Sequence, residues 1–347
     1  MDELRWELVK EYLIPIMPYF DMDGVTEIMV NSFDSVYVKI SGEMKKVDEI
    51  FQDERTVSTI IHQIAVATDQ SCNEIDSPEV NARLWDGSRF CGMLFPWSSK
   101  GCNFTIRIFP KNKLTTDDLL NYGSISPDML NYLKLAVGLY KNILISGSTD
   151  SGKTTFLNIL ATYVSPADRF ITVEDTQEIQ VDLPNWVAHV AVDKRRSKND
   201  LIVKSLADLI RTTLRENPTR ICVGEIRDSD SALAFMRALN TGHNGCFSSL
   251  HANDPMDAID RMTDLLGEAG KQVEFARKQV ISNLQIIVQA QEIRGVGKRI
   301  VQIMEVSRSD KHEVIFDYDY VNNKHIDGSV NFHDSLVYHE AIKFGMI

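Results

Sequence analysis

The sequence predicts an α/β fold, in which a C-terminal domain with a parallel sheet follows a smaller α+β domain. Three observations predict it. The length of 347 residues suggests two domains. A content of 44% hydrophobic and 25% charged residues supplies ample material for sizeable cores. After Tyr140, short apolar strands alternate with helices, which is typical of a parallel sheet with crossover helices. We place the domains at residues 1–110 and 123–347, with a linker at 111–122.

The N-terminal domain begins with an amphipathic segment from Leu4 to Tyr19, which Pro15 and Pro18 interrupt. In the segments between turn residues, apolar and polar residues then alternate with a period of two, which predicts strands. These strands are TEIMVN, SVYVKI, GEMKKV, two in EVNARLWDGSRFCGMLFP around an Asp86-Gly87 turn, and NFTIRIF. A helix is expected around Arg55 to Thr68. This part of the chain shows no catalytic cluster of its own.

A polar stretch from Phe109 to Tyr122 contains Pro110 and several lysines, and we interpret it as the linker. Ser126-Pro127-Asp128 then predicts a helix start, with a capping residue followed by proline at the first helical position. That helix should end near Tyr140.

The C-terminal domain contains the alternating elements. The predicted strands are NILIS, RFITVE, RICVGE and GCFSSL, and the predicted helices are TTFLNILATYV, SLADLIRTTLR, SDSALAFMRALN and a segment from Pro255, capped by Asn253 or Asp254. A hairpin of LQIIVQAQEI and RIVQIMEV, turning at Gly295 and Gly297, follows them.

The formal net charge of -12 gives no long-range attraction to nucleic acid or anionic lipid, so no direct nucleic-acid partner is expected. The basic run of Lys194, Arg195, Arg196 and Lys198 is interpreted as a solvated loop.

The five cysteines are odd in number and lack CxxC spacing, which argues against a disulfide framework and a zinc site and favours a reducing compartment. The start Met1-Asp2-Glu3 lacks the basic region of a secretory signal, and no apolar run approaches the length of a membrane span. We expect a cytoplasmic protein, with peripheral membrane association left open.

The segment from Gly147 to Thr154 matches the phosphate-binding pattern GxxxxGK[ST], with an apolar strand before it and a helix after it. Backbone N–H groups at the helix start would face phosphates, Lys153 would reach the β- and γ-phosphates, and the Thr154 hydroxyl would bind Mg²⁺. The competing interpretation is a glycine turn with an exposed lysine. The predicted nucleotide-binding residues are Gly147, Ser148, Thr149, Asp150, Ser151, Gly152, Lys153, Thr154 and Thr155.

Glu225 follows the apolar strand in RICVGEIRD, at the strand end where open α/β sheets bind ligands. An acid there can hold Mg²⁺ through water or polarise an attacking water. It could instead cap the next helix, although Asp228 suits that task better.

Two further segments place candidate groups at strand ends. Glu174 and Asp175 follow the strand in ITVEDTQEIQ, and neighbouring carboxylates can position water or bind metal. His243 and His251 flank the strand in TGHNGCFSSLHAND. His251 lies at the carboxyl end of its strand and could sense a γ-phosphate.

In this order, the four elements resemble the type II/type IV secretion ATPases, which are hexameric traffic ATPases of RecA-like P-loop fold. GSTDSGKTT is similar to their Walker A motif, ITVEDTQEI to their aspartate box, RICVGEIRD to their Gly-Glu Walker B motif and TGHNGCFSSLHAND to their histidine box. VTEIMVN and the segment NARLWDGSRF to FTIRIF resemble their N-terminal domain.

The resemblance implies Mg²⁺-dependent ATP hydrolysis by a ring of six, with nucleotide between the two domains and near a neighbouring subunit. It implies that Glu174 is a candidate for activating water and that Glu225 acts at the Mg²⁺ side. Basic residues of the N-terminal domain would reach the phosphates. Arg89 and Arg107 match those arginines best, with Arg83 as a further possibility. The implied catalytic residues are Lys153, Glu174, Glu225, His251, Arg89 and Arg107.

The aspartate box EDTQEI is similar to that of the conjugation/type IV secretion and tight-adherence branches. The short N-terminal region favours the conjugation branch, with a tight-adherence or other type IV pilus assembly ATPase as the alternative. The resemblance implies a motor that powers substrate transfer or pilus assembly, is cytoplasmic but peripheral to the inner membrane, and has other secretion or pilus components as partners.

Three other functions are alternatives. A RecA-like nucleic-acid motor fits the Walker A motif, but the charge of -12 and the lack of an aromatic and basic strand face oppose it. A nucleotide-binding scaffold without hydrolysis would require that Asp150 prevents catalysis. A kinase would require a separate acceptor site, of which the sequence shows no sign.

Asp150 departs from the glycine that the family usually has in this loop. Aspartate is one of the few residues besides glycine that tolerate the left-handed backbone region. We therefore expect that Asp150 tunes nucleotide affinity rather than preventing binding.

Overall fold

The computed structural model describes residues 2–109, 114–191 and 204–347. These fall into two compact units, 2–109 in the first and the remainder in the second. The basic run of Lys194 to Lys198 and the first part of the predicted linker lie outside the described residues. The predicted fold class is confirmed, because the first unit is α+β and the second is an α/β domain built on a mainly parallel sheet. Across the described ranges, no helix is long and apolar enough to cross a membrane.

The first unit contains a six-stranded antiparallel sheet of order β3-β2-β1-β6-β5-β4. Its strands are β1 (Val25–Ser32), β2 (Ser35–Ile40), β3 (Glu43–Val47), β4 (Glu79–Arg83), β5 (Arg89–Met93) and β6 (Asn103–Arg107). Its helices are α1 (Asp2–Tyr12), α2 (Pro18–Asp21) and α3 (Glu54–Ala67). The predicted amphipathic segment is divided among α1, a 3₁₀ turn at Ile14–Ile16 and α2, because proline removes a backbone donor and blocks a continuous helix.

One face of this sheet carries the core. Ile28, Val30 and Ile106 alternate with partly exposed residues and are fully buried. Helix α3 begins at the cap Asp53, whose carboxylate accepts a hydrogen bond from the Thr56 backbone N–H at 2.8 Å.

The second unit contains a nine-stranded sheet of order β15-β14-β13-β12-β7-β11-β10-β8-β9. Its strands are β7 (Ile143–Gly147), β8 (Phe170–Glu174), β9 (Trp186–Val190), β10 (Arg220–Ile226), β11 (Phe247–Leu250), β12 (Ile286–Ile293), β13 (Gly297–Glu305), β14 (Glu313–Asp319) and β15 (Lys324–Asp327). The strands from β12 to β9 in this order run parallel, so their carboxyl ends meet at one edge. Strands β13 to β15 extend the sheet beyond β12 with antiparallel pairing.

Helices cover both faces of this sheet. They are α4 (Thr116–Asn121), α5 (Pro127–Gly138), α6 (Lys153–Ala161), α7 (Leu206–Thr213), α8 (Ser229–Asn240), α9 (Pro255–Glu268), α10 (Val273–Asn283) and α11 (Leu336–Lys343). One core includes residues of α5, α6 and α11, and the other includes residues of α7 to α10. The expected caps Ser126, Asp228 and Asp254 each accept a backbone N–H bond.

Several elements were not predicted. Helix α4 lies in the described part of the expected linker, and strands β9, β14 and β15 and helices α10 and α11 had no counterpart in the sequence analysis. Within the described residues, strand β9 pairs with β8 alone, and its mostly apolar residues WVAHV stay partly exposed instead of being buried like those of a central strand. The segment forms a strand because its backbone pairs with β8.

A buried ion pair joins the amino-terminal edge of this sheet. Arg220 and Asp168 lie 2.6 Å apart, with side chains 1% and 6% exposed. The Tyr140 hydroxyl donates to Asp168 at 2.9 Å, and the guanidinium lies 3.8 Å from the centre of the Tyr140 ring. These contacts therefore tie the start of β10 to the segment before β8 and the segment after α5.

We expect Asp168→Ala to lower the free energy of unfolding by about 3–5 kcal/mol, because it leaves a buried guanidinium without its counter-charge. Guanidinium chloride unfolding of the full chain would measure it. Arg211→Ala is the matched control, since Arg211 and Asp208 form an exposed pair worth less than about 1 kcal/mol. Equal losses in the two variants would contradict the prediction.

Candidate active site

The phosphate-loop segment joins β7 to α6 at the carboxyl edge of the parallel strands. Strand β7 is buried along its whole length, and α6 begins at Lys153 directly after Gly152. A Cβ at Gly147 would collide with the Ala290 carbonyl oxygen of β12, so this position requires glycine. Gly152 has a φ of 94°, a value that residues with a side chain rarely adopt. The loop therefore has the strand–loop–helix setting that phosphate binding requires.

Asp150 has a φ of 62°, in the left-handed region. Aspartate tolerates this conformation because its short polar side chain bonds locally. The carboxylate also acts at a distance on Lys153, whose pKa it raises, although burial lowers that pKa more strongly. The loop thus accommodates the residue while bringing a negative charge near its lysine.

We expect Asp150→Gly to tighten ATP binding by about three- to tenfold, because it removes a repulsion on the order of 1 kcal/mol. The difference between variant and wild type should shrink as salt rises, since salt screens the repulsion. Titration with a fluorescent ATP analogue at two salt concentrations measures both. Asp150→Asn is the control: it removes the charge but keeps the left-handed preference, so unchanged affinity in both variants would refute the tuning hypothesis.

The Lys153 side chain turns back along the loop. Its Nζ donates to the carbonyl oxygens of Gly147 at 3.1 Å and Ser148 at 2.8 Å. The residue is only 8% exposed, and burial is the main reason that its pKa is lowered. The predicted alternative, a glycine turn with an exposed lysine, is therefore wrong.

His251 connects Lys153 with Glu225. Its Nδ1 lies 3.3 Å from Lys153 Nζ, and its Nε2 lies 2.8 Å from Glu225 Oε1. An ammonium only donates and a carboxylate only accepts. We therefore assign the hydrogen of the neutral imidazole to Nε2, with Nδ1 accepting from Lys153. Lys153 Nζ also lies 4.0 Å from Glu225 Oε1. The Walker A, Walker B and histidine-box segments thus contribute to one cluster.

Arg227 adds a second cation beside Glu225, and the sequence analysis gave this residue no role. Its guanidinium contacts Glu225 Oε2, and its Nη1 lies 3.8 Å from Asp175 Oδ2. Arg227 thereby links the ends of β8 and β10. The available signal was its position two residues after Glu225, just beyond the strand end.

Glu174 is 3% exposed at the end of β8, and its Oε1 accepts hydrogen bonds from the Glu178 and Ile179 backbone N–H groups at 2.8 and 2.9 Å. This oxygen orients the aspartate-box loop. A Cβ at Gly224 on the neighbouring strand would lie 2.9 Å from Glu174 Cγ. Glycine before Glu225 therefore leaves room for the Glu174 side chain.

The other histidine of the segment lies elsewhere. His243 Nδ1 is 3.1 Å from the Thr241 hydroxyl and 3.3 Å from the Ala238 carbonyl oxygen, before β11 begins. His251 follows the same strand at its other end. Only His251 joins the cluster with Lys153 and Glu225.

The candidate arginines of the first unit form a row across its sheet. Arg83 pairs with Arg89, and Arg89 pairs with Arg107. Arg107 Nη2 lies 3.1 Å from Glu27 Oε1 on the next strand. Their neighbours along the strands, including Phe90 and Ile106, are buried on the core face, so the row lies on the opposite face.

The oxygen groups near Lys153 are of the kind that Mg²⁺ prefers. Within the described ranges, no group of three or more His, Cys, Asp or Glu residues could hold a metal. Nucleotide sites bind Mg²⁺ through one or two protein groups together with the phosphates of the substrate. The predicted ligands, the Thr154 hydroxyl and the Glu225 carboxylate, would be two such protein groups.

Comparison with known proteins gives three sequence findings. The family described as "Type II/IV secretion system protein" matches residues 10–342. The chain is 31% identical over 286 residues to the conjugal transfer protein TrbB of Rhizobium radiobacter, covering 81% of this chain and 84% of that protein. It is 36% identical over 234 residues to an uncharacterised protein of Methanocaldococcus jannaschii, covering 65% of this chain but only 32% of that longer protein.

A solved structure has the same fold. The pilus retraction motor PilT with bound ADP matches with a TM-score of 0.58 and 20% identity, covering 98% of this chain and 88% of that chain. At this identity, the likeness concerns the fold alone.

Proposed function

This chain belongs to the type II/IV secretion system protein family, and from that premise we propose that it is the ATP-hydrolysing motor of a bacterial type IV secretion or conjugation system. The motor would work as a homohexamer and power substrate transfer or pilus assembly. The observation that carries the proposal is the cluster of Lys153, His251 and Glu225 beside a phosphate loop. Three segments distant in sequence supply a cation, a hydrogen-bond donor and a carboxylate at the end of a parallel sheet, where α/β folds bind nucleotides.

Binding of ATP would use the start of α6. Its first N–H groups have no partner within the helix and carry the positive end of the helix dipole, so they attract phosphate. Lys153 would exchange the Gly147 and Ser148 carbonyl oxygens for phosphate oxygens, which are better partners for an ammonium because they are charged. The segment from Gly147 to Thr155 would wrap the polyphosphate.

Thr154 and Glu225 would hold Mg²⁺, which neutralises phosphate charge when bound. His251 would then donate from Nε2 toward the γ-phosphate or hold Glu225 in place. The protein groups thus pre-arrange donors and a carboxylate around the terminal phosphate, and such pre-arrangement accounts for most of catalysis in phosphoryl transfer.

Two carboxylates are available to orient the attacking water. One oxygen of Glu174 already accepts two backbone bonds, so we assign Glu174 the tasks of shaping the aspartate-box loop and orienting water through its carboxyl group. Glu225 would act at the Mg²⁺ side. The two roles predict different Mg²⁺ requirements when each glutamate is replaced by glutamine, so substitution can separate them.

Arg89 and Arg107 would stabilise the negative charge that develops on the phosphates, with Arg83 beside them in the same row. We further propose a cytoplasmic location peripheral to the inner membrane, with other components of the secretion or pilus machinery as partners.

Two measurements on the purified full chain test the proposal. Phosphate release with ATP should require Mg²⁺, and light scattering after chromatography should give a hexamer of the 39.3 kDa chain when ATP is present. Single-stranded DNA should leave the rate unchanged, which separates this motor from a nucleic-acid translocase. A strict monomer without turnover would overturn the proposal.

A further inference from the structure

We propose that Gln289 is a positioning residue that anchors the histidine-box loop to the phosphate-loop strand and thereby places His251 between Lys153 and Glu225. Gln289 lies on β12 directly beside Ser146 of β7 and is 5% exposed. Ser146 is fully buried and immediately precedes Gly147. The inference rests on the proposed ATPase function, and it gives a task to a residue that belongs to none of the recognised motifs.

The amide of Gln289 makes three hydrogen bonds in this place and uses both of its donors. Its Oε1 accepts from the Ser146 hydroxyl. Its Nε2 donates to the carbonyl oxygens of Ala252 at 3.2 Å and Asn253 at 2.9 Å. Because both carbonyls can only accept, they fix which end of the amide faces them. Among side chains of this size, neither a carboxylate nor a thioether could supply those two donors.

Ala252 and Asn253 directly follow His251, so their position determines where the imidazole lies. From its other side, this loop is held by α9, where Asp257 accepts a hydrogen bond from the Asn253 backbone N–H at 2.7 Å. Gln289 supplies the side-chain link to the neighbouring strands. Without it, the carbonyl groups of buried Ala252 and of Asn253 would lose a donor, and the loop would move to find others.

The link also ties the loop to the phosphate-binding strand. Backbone pairing already sets Leu250 beside Ser146, but that pairing ends one residue before His251. The Ser146–Gln289–Ala252 connection extends it past the strand end. Movement of the phosphate loop would therefore be transmitted to the imidazole that contacts both Lys153 and Glu225.

The test uses the full chain with Gln289→Met, which keeps the side-chain length but removes the amide. We expect its kcat to fall on the order of 10- to 100-fold through misplacement of His251, with a small change in KM. In the His251→Ala background, the same substitution should change kcat by less than about threefold, because the residue that it positions is gone. Tyr132→Phe is the control, since it removes a buried hydrogen bond to Glu305 at the other end of the sheet.

A second readout does not depend on turnover. In ¹⁵N-histidine spectra, the His251 signals, assigned by their absence in His251→Ala, should shift in Gln289→Met and stay in place in Tyr132→Phe. If the methionine variant folds poorly, Gln289→Glu replaces it in the same test, because glutamate keeps the side-chain size but has an acceptor oxygen in place of the donor Nε2. Unshifted His251 signals would overturn the positioning role, as would a fully additive double variant. A wild type without ATPase activity would overturn the proposed function, while the spectra would still decide the role of Gln289.

Discussion

Lys153→Met is expected to reduce ATP hydrolysis more than 100-fold, because it removes the one ammonium that the phosphate loop holds beside both Glu225 and His251. Methionine keeps the buried stem and its packing against the loop, so the effect should come from the lost charge. ATP affinity should fall as well, since Lys153 is expected to bind the phosphates in the ground state. Phosphate release and titration with a fluorescent ATP analogue measure the two effects.

The control for this lysine is Lys134→Met. Lys134 is exposed on α5, where its ammonium lies 5.2 Å from the centre of the Tyr163 ring. It carries the same charge without approaching the phosphate loop, so the rate should stay within about twofold of wild type because single exposed charges contribute little. The prediction fails if Lys153→Met keeps a tenth of the wild-type rate, or if the control loses as much activity.

The second large effect is expected for Glu225→Gln, which should lower kcat by about 10²- to 10³-fold and leave ATP affinity equal or tighter. The amide has nearly the size of the carboxylate, but it lacks the charge that His251, Arg227 and Lys153 surround. Binding should persist because removing an anion beside the phosphates reduces repulsion. Single-turnover hydrolysis and nucleotide titration separate the chemical step from binding.

Comparison with Glu174→Gln then distinguishes the two glutamates. Glutamine at 174 keeps an oxygen for the Glu178 and Ile179 backbone N–H groups, so the aspartate-box loop should stay folded. If Glu174 orients water, its variant should lose turnover while its Mg²⁺ dependence stays unchanged. The Glu225 variant should require more Mg²⁺. Asp230→Asn, an exposed change on α8, should do neither. Wild-type turnover in Glu225→Gln would remove this residue from the proposed mechanism.

Much of the fold was predictable because its signals are local. The alternation of strands and helices, the caps Ser126 and Asp228, and the loop before α6 each depend on residues a few positions apart. The missed strands β9 and β14 lie toward the margins of the sheet. Their pairing is a long-range property that these short segments do not reveal by themselves.

The candidate site was likewise predicted in part from local sequence signals and missed in part. Lys153, Glu225 and His251 were predicted to share an edge because parallel strands end together, and the structure brings them into contact. Arg227 and Gln289 were missed, since Asp175 near Arg227 and the loop carbonyls near Gln289 become their neighbours only through strand order and register. The row of Arg83, Arg89 and Arg107 likewise depends on register, because their spacing along the chain gives no sign of it.

By itself, the sequence determined the family, the phosphate loop and the strand ends that carry the candidate catalytic residues. Each of these is encoded by a short run of neighbouring residues. Asp150 illustrates the limit of that information. Its tolerance of the left-handed region was predictable from side-chain size, and its φ of 62° agrees. Only the tertiary structure decided that Lys153 turns back onto the loop carbonyls, that Gly224 makes room for Glu174 and that Gln289 reaches the histidine loop. The last two contacts join residues tens of positions apart, which strand order and register bring together. The Lys153 contacts span only five and six residues and depend on how the loop folds.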